Sequence, residues 1–264
     1  MSLTDEKVQF LLGEVAELKK YKNKYGELHL KLKEEKAFLI GKLYFTATLN
    51  GETISDSYKV KIEFPQSYPD IPPSAEEIGG RIRKTLDDHV SDSRFLCLAP
   101  ALEILSEFKK EPTLLNYLEN QLIPILCWHS YKEKHPEESL PAYSHCGKGI
   151  EEYRAETNLK EKYFIILESD DINVVLLLLK LLIDGTCKNN PKCPCKRGLH
   201  LKDCHGKFLQ TLLDMPYLKP EHIKCDYDKM FQEAKEHGEI ADIRPFLPKR
   251  NRKKMAKRKL NKKS

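Results

Sequence analysis

Residues 42–64 of the 264-residue chain read KLYFTATLNGETISDSYKVKIEF. Apolar and polar residues alternate on both sides of Asn50-Gly51, which is the pattern of strands with one buried face. Because Asn and Gly tolerate positive φ, the pair predicts a tight turn between two antiparallel strands. Alternate leucines predict a further strand before this hairpin: Leu28, Leu30 and Leu32. A sheet with one apolar face needs a cover of helices, so the segment predicts an α+β fold.

Helical patterns lie on both sides of these strands. Residues 4–21 predict an amphipathic first helix behind a Thr4-Asp5 cap, and residues 113–134 predict a long helix that is kinked or broken near Pro124. Between them, residues 64–73 read FPQSYPDIPP. Proline has no N–H to donate to a ladder, so this segment predicts an ordered loop that ends the sheet. A short strand is expected at residues 77–82.

A second region begins near residue 157. Ser169-Asp170-Asp171 predicts the cap of an apolar helix that ends at Asp184-Gly185, and shorter helical patterns follow at residues 207–213 and 228–236. The longest apolar stretch is interrupted by polar residues and is too short to span a membrane. The expected organisation is a domain over residues 1–156, a helical region over 157–248 and a basic tail over 249–264.

The tail determines the net charge of the chain. Residues 249–264 hold ten Lys and Arg and no acid, whereas the preceding 248 residues hold 35 basic and 40 acidic side chains. Such a tail attracts nucleic acid or an acidic partner in a salt-dependent way; a solvated end with no dedicated partner is the alternative. Acids precede any apolar run at the N-terminus, so we expect a cytoplasmic protein with reduced cysteines.

Four residues of the second region have metal-ligand character. Cys193 and Cys195 are followed, after eight residues, by Cys204 and His205. Thiolates and imidazole suit tetrahedral Zn²⁺, and a reducing compartment favours metal over disulfide. Over residues 193–206 the pattern CPCxxGx5CHG resembles the small zinc motif at the C-terminus of the SecA translocase, called SEC-C. The expectation is one structural zinc within residues 187–206, with free clustered thiols as the alternative and Cys187 as a bystander.

The first region has a larger resemblance, to ubiquitin-conjugating enzymes. That family carries F-P-x-x-Y-P-x-x-P-P after a strand, then a His-containing loop, then a Cys between apolar residues that takes the modifier as a thioester. The matching residues here are Phe64-Pro65, Tyr68-Pro69, Pro72-Pro73, His89 and Leu96-Cys97-Leu98. The resemblance spans about residues 4–135, and its short loop is most similar to that of the bacterial members. It implies a UBC-like core.

The resemblance also implies roles for three residues. Cys97 is the expected nucleophile, since thioester exchange needs an accessible thiolate. His89 is expected to hold the loop rather than act as a base. The family has an Asn two positions after the His, and Ser91 stands here instead. A shorter hydroxyl donor is expected to slow transfer, because losing an oxyanion donor costs about 10² to 10³ in rate. The alternative for Cys97 is a small buried apolar residue between two leucines.

The resemblance implies a thioester-forming acyltransferase of a bacterial antiviral (anti-phage) defence system. Its expected partners are a ubiquitin-like modifier, or the C-terminus of a nucleotidyltransferase of the cGAS type, together with an activating enzyme. Two other functions stay open at this point. One is a non-catalytic UBC-like binding module, which Ser91 favours and Cys97 opposes. The other is a nucleic-acid-associated zinc adaptor, argued from the tail and the zinc motif.

Overall fold

The computed structural model describes residues 4–33, 35–91, 93–138 and 146–240. The chain divides into two units, Met1–Glu156 and Thr157–Ser264. The basic tail over residues 249–264 lies outside the described residues.

The first unit contains a four-stranded antiparallel sheet with the strand order β1-β2-β3-β4, so the predicted α+β class is confirmed. The strands are β1 (Gly26–Lys33), β2 (Lys36–Leu49), β3 (Glu52–Phe64) and β4 (Ser74–Glu77). In the β2–β3 hairpin Leu49 pairs with Glu52. Asn50 and Gly51 have φ of 50° and 83°, which is the turn chemistry that their sequence predicts.

The fourth strand, β4, covers Ser74–Glu77, so the expectation of a strand at residues 77–82 was wrong. Strand β4 pairs with β3 from Ser74 to Glu77, and then the chain turns away. The buried carboxylate of Glu77 accepts the backbone N–H groups of Gly79 at 2.6 Å and Arg81 at 3.0 Å. A side chain therefore satisfies these donors in place of a strand ladder, and the segment after Glu77 forms a loop.

In its described part, the first unit also contains six helices. They are α1 (Asp5–Lys19), α2 (Lys22–Tyr25), α3 (Ala101–Lys110), α4 (Leu114–Tyr117), α5 (Ile123–Lys134) and α6 (Cys146–Glu156). Of these, α1, α2 and α5 contact the sheet. Buried residues of α1 and α5, such as Leu11 and Leu126, share one core with the inward residues of β2 and β3, such as Leu39 and Val60. The opposite face of the sheet carries most of the polar residues of the strands, together with Phe38, Ile40 and Tyr44 of β2.

The predicted kink before Pro124 takes the form of a π-helical turn, Leu118–Leu122, between α4 and α5. Proline has no N–H, and its ring collides with the carbonyl four residues earlier in a regular helix. One wider turn accommodates the proline without ending the helix.

The second unit is helical in its described part. Its elements are α7 (Leu159–Leu167), α8 (Ile172–Ile183), α9 (Gly206–Asp214) and α10 (Pro220–Glu236), with 3-10 turns at Thr186–Asn189 and Leu201–Asp203. The predicted ends of α8 are confirmed: Asp171 Oδ1 accepts the N–H of Asn173 at 2.9 Å, and Gly185 has φ of 65°. Among the described residues no helix has the length and apolar character needed to cross a bilayer.

Candidate functional site

The proline-rich segment after β3 is a loop anchored to two helices. Tyr68 is buried, and its hydroxyl donates to Glu14 Oε2 on α1 at 2.6 Å. The same oxygen accepts the N–H of Leu114, the first residue of α4, at 2.5 Å. Lys7 Nζ donates to the carbonyl of Pro65 at 2.7 Å. These contacts from α1 and α4 hold the loop in place at the end of the sheet.

Cys97 lies at the end of a small hairpin-like loop that continues from β4. Val90 and Leu96 form an antiparallel bridge, and the N–H of Cys97 donates to the carbonyl of His89 at 2.6 Å. The N–H of Leu96 donates to Ala75 of β4 at 2.8 Å. Leu96 is buried, whereas the adjacent Cys97 is half-buried. Leu96 thus fills the core position of this segment, and its neighbour Cys97 is partly accessible.

Ser91 lies inside the turn of this loop. Its Oγ donates to the carbonyl of Phe95 at 3.0 Å and accepts the N–H of Phe95 at 3.2 Å. Arg94 has φ of 71° and donates its N–H to the carbonyl of Ser91 at 2.8 Å. The hydroxyl of Ser91 therefore holds the two sides of the turn together.

His89 lies opposite Cys97 and joins the loop to α5. It follows the 3-10 turn Leu86–Asp88 with φ of 55°, in the left-handed region. Its ring meets the ring of Trp128 edge-on, with 6.1 Å between the ring centroids. The backbone of His89 thus contacts Cys97 while its ring contacts Trp128 of α5.

Behind His89 lies a buried polar cluster that the sequence patterns did not single out. Asp88 is 5% exposed; Thr85 Oγ1 donates to it at 2.5 Å, and Arg83 Nε lies 3.1 Å away. Burial opposes ionisation of this carboxyl, but the hydrogen bonds from Thr85 and Arg83 lower its pKa overall. Lys132 Nζ of α5 lies 3.9 Å from Asp88 and 4.8 Å from the ring centroid of Trp128.

His129 belongs to the same region of α5. It is 6% exposed, and its Nε2 has no hydrogen-bond partner among the described residues. Burial lowers the pKa of His129 to about 4, so the imidazole is neutral at pH 7.

A second network fixes the chain between β4 and His89. Arg81 forms a bidentate pair with Asp56 of β3, at 2.6 and 2.8 Å, and pairs with Glu133 of α5 at 2.6 and 2.7 Å. The guanidinium lies 4.4 Å from the ring centroid of Tyr58. Hydrogen bonding to Arg81 lowers the pKa of Asp56 to about 2. These partners are far apart in sequence and form no motif, so no signal in the chain pointed to them.

The four predicted metal ligands lie together in the second unit. The ligand atoms of Cys193, Cys195, Cys204 and His205 all lie within 4.8 Å of one another. His205 Nδ1 lies 3.1 Å from both Cys193 Sγ and Cys204 Sγ, and the sulfurs of Cys195 and Cys204 are 3.3 Å apart. Three sulfurs and one imidazole nitrogen at this spacing are compatible with a tetrahedral zinc site.

The backbone around these ligands is shaped by two glycines. Gly198 has φ of 80° in the turn between the bridge partners Lys192 and His200, where the N–H of Cys193 donates to Leu199 O. Gly206 directly follows His205; a Cβ there would lie 2.7 Å from the carbonyl oxygen of Leu201. The close approach at Gly206 allows α9 to begin beside the 3-10 turn that carries Cys204.

The electrostatics of the four side chains suit a cation. Burial lowers the pKa of His205, which keeps the imidazole in the neutral form that ligates metals. Burial and the neighbouring sulfurs of Cys195 and Cys193 raise the pKa of Cys204 to about 12. Negative charges on several adjacent sulfurs need a counter-charge, which a divalent ion supplies. Cys187 is not part of this group.

The structure thus brings the predicted residues together in two sets. Cys97, His89 and Ser91 lie on one short loop of the first unit, and the four Cys and His side chains lie within 4.8 Å in the second. Comparisons of the chain with protein-family models, with curated proteins and with solved structures each found no match.

Proposed function

We propose that this protein is a UBC-like acyltransferase that holds the C-terminus of a modifier or partner protein as a thioester on Cys97. The observation that carries the proposal is the placement of Cys97. It is half-buried, at the end of a loop bonded to His89 and to β4, while Leu96 takes the core position. The proline frame before the loop and the resemblance to ubiquitin-conjugating enzymes support the same function.

The proposed chemistry has two steps at one sulfur. The Cys97 thiolate attacks the acyl carbon of a thioester held by an activating enzyme; the new S–C bond forms as the old one breaks, and the activating enzyme leaves as a thiolate. An amine of the acceptor then attacks the same carbon. The S–C bond at Cys97 breaks, the sulfur leaves as a thiolate, and the proton of the amine nitrogen passes to water or to that thiolate, which leaves an amide.

The surrounding residues would hold the sulfur in place during these steps. The carbonyl of His89 accepts the N–H of Cys97 and its ring packs on Trp128, so α5 fixes the loop through one residue. Preorganised loops of this kind accelerate reactions by orienting the reacting atoms. The role proposed for His89 is to position Cys97.

The test compares wild type, Cys97→Ser, Cys97→Ala and, as a matched control, the exposed Cys225→Ser. Each is expressed in the native host, and its intact mass is measured with and without a thiol reductant. We expect a reductant-sensitive adduct on wild type and on Cys225→Ser, a resistant ester on Cys97→Ser and none on Cys97→Ala. The added mass identifies the modifier or partner protein.

A non-catalytic UBC-like binding module is the second candidate function, and Ser91 is the observation that favours it. Its Oγ already bonds both backbone groups of Phe95, which limits its reach toward a reacting carbonyl. The absence of any adduct on wild type, with the partner locus present and induced, would favour this function over acyl transfer.

We also propose that Cys193, Cys195, Cys204 and His205 hold one structural Zn²⁺. Four protein ligands leave no open position for a catalytic water, so the metal would stabilise the fold of the second unit. Metal analysis of the purified protein should give about one zinc per chain. Cys195→Ser should lose it, and Cys187→Ser, the matched control, should keep it. Absence of zinc from wild type purified without chelators would contradict the proposal.

A further inference from the structure

The face of the sheet opposite the core, here called the outer face, is rich in lysine. Strand alternation places six lysines and three glutamates on it: Lys31, Lys33, Lys36, Lys42, Lys59 and Lys61, with Glu27, Glu63 and Glu76. The 248 residues before the tail have more acidic than basic side chains. Positive charge is therefore concentrated on this face.

The glutamates of the outer face already have lysine partners. Glu27 pairs with Lys22, Glu63 with Lys36 at 2.8 Å, and Glu76 with Lys84 at 3.7 Å. Among the described residues of the outer face, Lys36 and Lys61 pair with Glu63, and four exposed lysines form no ion pair: Lys31, Lys33, Lys42 and Lys59.

Strand register brings two of these like charges together, although one of them, Lys42, also lies opposite Glu27 of β1. Lys42 of β2 and Lys59 of β3 are direct cross-strand partners. Like charges in this position destabilise a sheet. An anion lying over the two strands would relieve that repulsion, so the face is suited to a polyanion.

An aromatic ring lies beside the lysines. Tyr44 is 44% exposed, and its ring rests on Gly26, where an added Cβ would collide with it. Lys42 Nζ lies 5.1 Å from the ring centroid. An open depression of about 470 Å³ adjoins the ring, lined by residues that include Lys22, Asn23, His29 and Lys42. The ring is thus held in place with one part open to solvent.

We infer that the outer face binds single-stranded nucleic acid, with its lysines on the phosphates and Tyr44 stacked on an unpaired base. Basic grooves combined with an aromatic platform are how proteins hold single strands without reading sequence. A duplex keeps its bases stacked inside and offers no base face to Tyr44. The inference is independent of the chemistry at Cys97, and it places a nucleic-acid contact on the sheet in addition to any contact that the basic tail makes.

The test measures binding of a fluorescent 20-nucleotide oligo(dT) to the full chain between 50 and 200 mM salt. The variant is Lys42→Gln with Lys59→Gln. The control is Lys19→Gln with Lys20→Gln at the C-terminal end of α1, which removes equal charge from two exposed residues, one of them paired with Glu17. Each lost phosphate contact lowers the slope of log affinity against log salt by about 0.7. We expect the variant to lose about 1.4 of slope and about tenfold in affinity at 100 mM salt, and the control to keep the wild-type slope.

A second variant tests the stacking. Tyr44→Leu should lower affinity by about tenfold without changing the salt slope, because stacking releases no counterions. Equal binding by the lysine variant and its control would overturn the inference. The inference would also be overturned if polyglutamate displaced the oligonucleotide and Tyr44→Leu left binding unchanged. Those two results together would identify the partner as an acidic polypeptide. Circular dichroism confirms that each variant is folded.

Discussion

The hydroxyl of Ser91 has two conceivable roles, holding the turn before Cys97 and stabilising an oxyanion, and its hydrogen bonds favour the first. Because its Oγ bonds both the N–H and the carbonyl of Phe95, we expect it to hold the turn before Cys97 rather than to stabilise an oxyanion. Ser91→Ala should then slow adduct formation on Cys97 only three- to tenfold, since a neutral hydrogen bond contributes about 0.5–1.5 kcal/mol. The measurement is the rate of adduct formation followed by intact mass.

The control for Ser91 is Ser93→Ala, an exposed serine of the same loop, which should keep the wild-type rate. A loss of about 10² to 10³ in Ser91→Ala would contradict the turn-holding role, because that is the effect of removing an oxyanion donor.

His129 makes stability depend on pH. Burial lowers its pKa to about 4 in the folded chain, against about 6.5 for an unperturbed histidine. The unfolded chain therefore takes up a proton first, and folding stability falls as pH drops from about 6.5 to 4. Between pH 7.5 and 5 this residue should cost about 2 kcal/mol. His129→Leu should remove that difference, measured by urea unfolding.

The single tryptophan, Trp128, is adjacent to His129 and reports unfolding of the first unit. His29→Leu replaces an exposed histidine and serves as the control, which should keep the wild-type pH dependence. If the His129→Leu and wild-type curves shift equally with pH, the buried imidazole is not the source.

Glu14 of α1 connects three elements of the first unit: α1, the proline-rich loop and α4. Its Oε2 accepts from Tyr68 of the proline loop and from the first N–H of α4. Hydrogen bonds to a carboxylate are stronger than neutral ones, so Tyr68→Phe should destabilise the first unit by about 2 kcal/mol. Urea unfolding followed by Trp128 fluorescence measures this loss.

Tyr21→Phe is the control for this change, because the ring of Tyr21 is exposed. Its unfolding midpoint should match that of wild type. A Tyr68→Phe midpoint equal to the control would show that the hydroxyl bond to Glu14 does not anchor the loop.

For the whole molecule, the important feature is the separation of charge. The tail over residues 249–264 carries ten basic residues, and the outer face of the sheet carries a second basic region. If the tail and the outer face bind independently, deleting residues 249–264 should lower the salt slope of oligonucleotide binding. Adding Lys42→Gln with Lys59→Gln to the tail-deleted chain should then lower the slope by about 1.4 more, as much as in the full chain. Cys97 adduct formation in the deletion variant, measured by intact mass, should stay at the wild-type level.

Complete loss of oligonucleotide binding on deletion of the tail would contradict the contribution of the sheet. Loss of the Cys97 adduct in the same variant would show that the tail takes part in acyl transfer rather than acting as an accessory.

Local patterns in the sequence determined the α+β class, the Asn50-Gly51 hairpin, the ends of α8 and the identity of the four clustered Cys and His residues. Each of these rests on residues close in the chain, where propensity, turn chemistry or ligand spacing acts directly. The position of β4 was misjudged, because the buried Glu77 carboxylate, rather than a strand partner, satisfies the N–H groups of Gly79 and Arg81.

Only the tertiary structure decided the surroundings of Cys97 and the use of the sheet's outer face. Arg81 pairs with Asp56 and Glu133, which are 25 and 52 residues away in the sequence. The ring of His89 likewise contacts that of Trp128, which is distant in the sequence. Lys42 and Lys59 become neighbours only through strand register. Contacts between distant residues depend on packing and register, which no local pattern specifies, and for this reason the polar network behind the loop had no sequence signal.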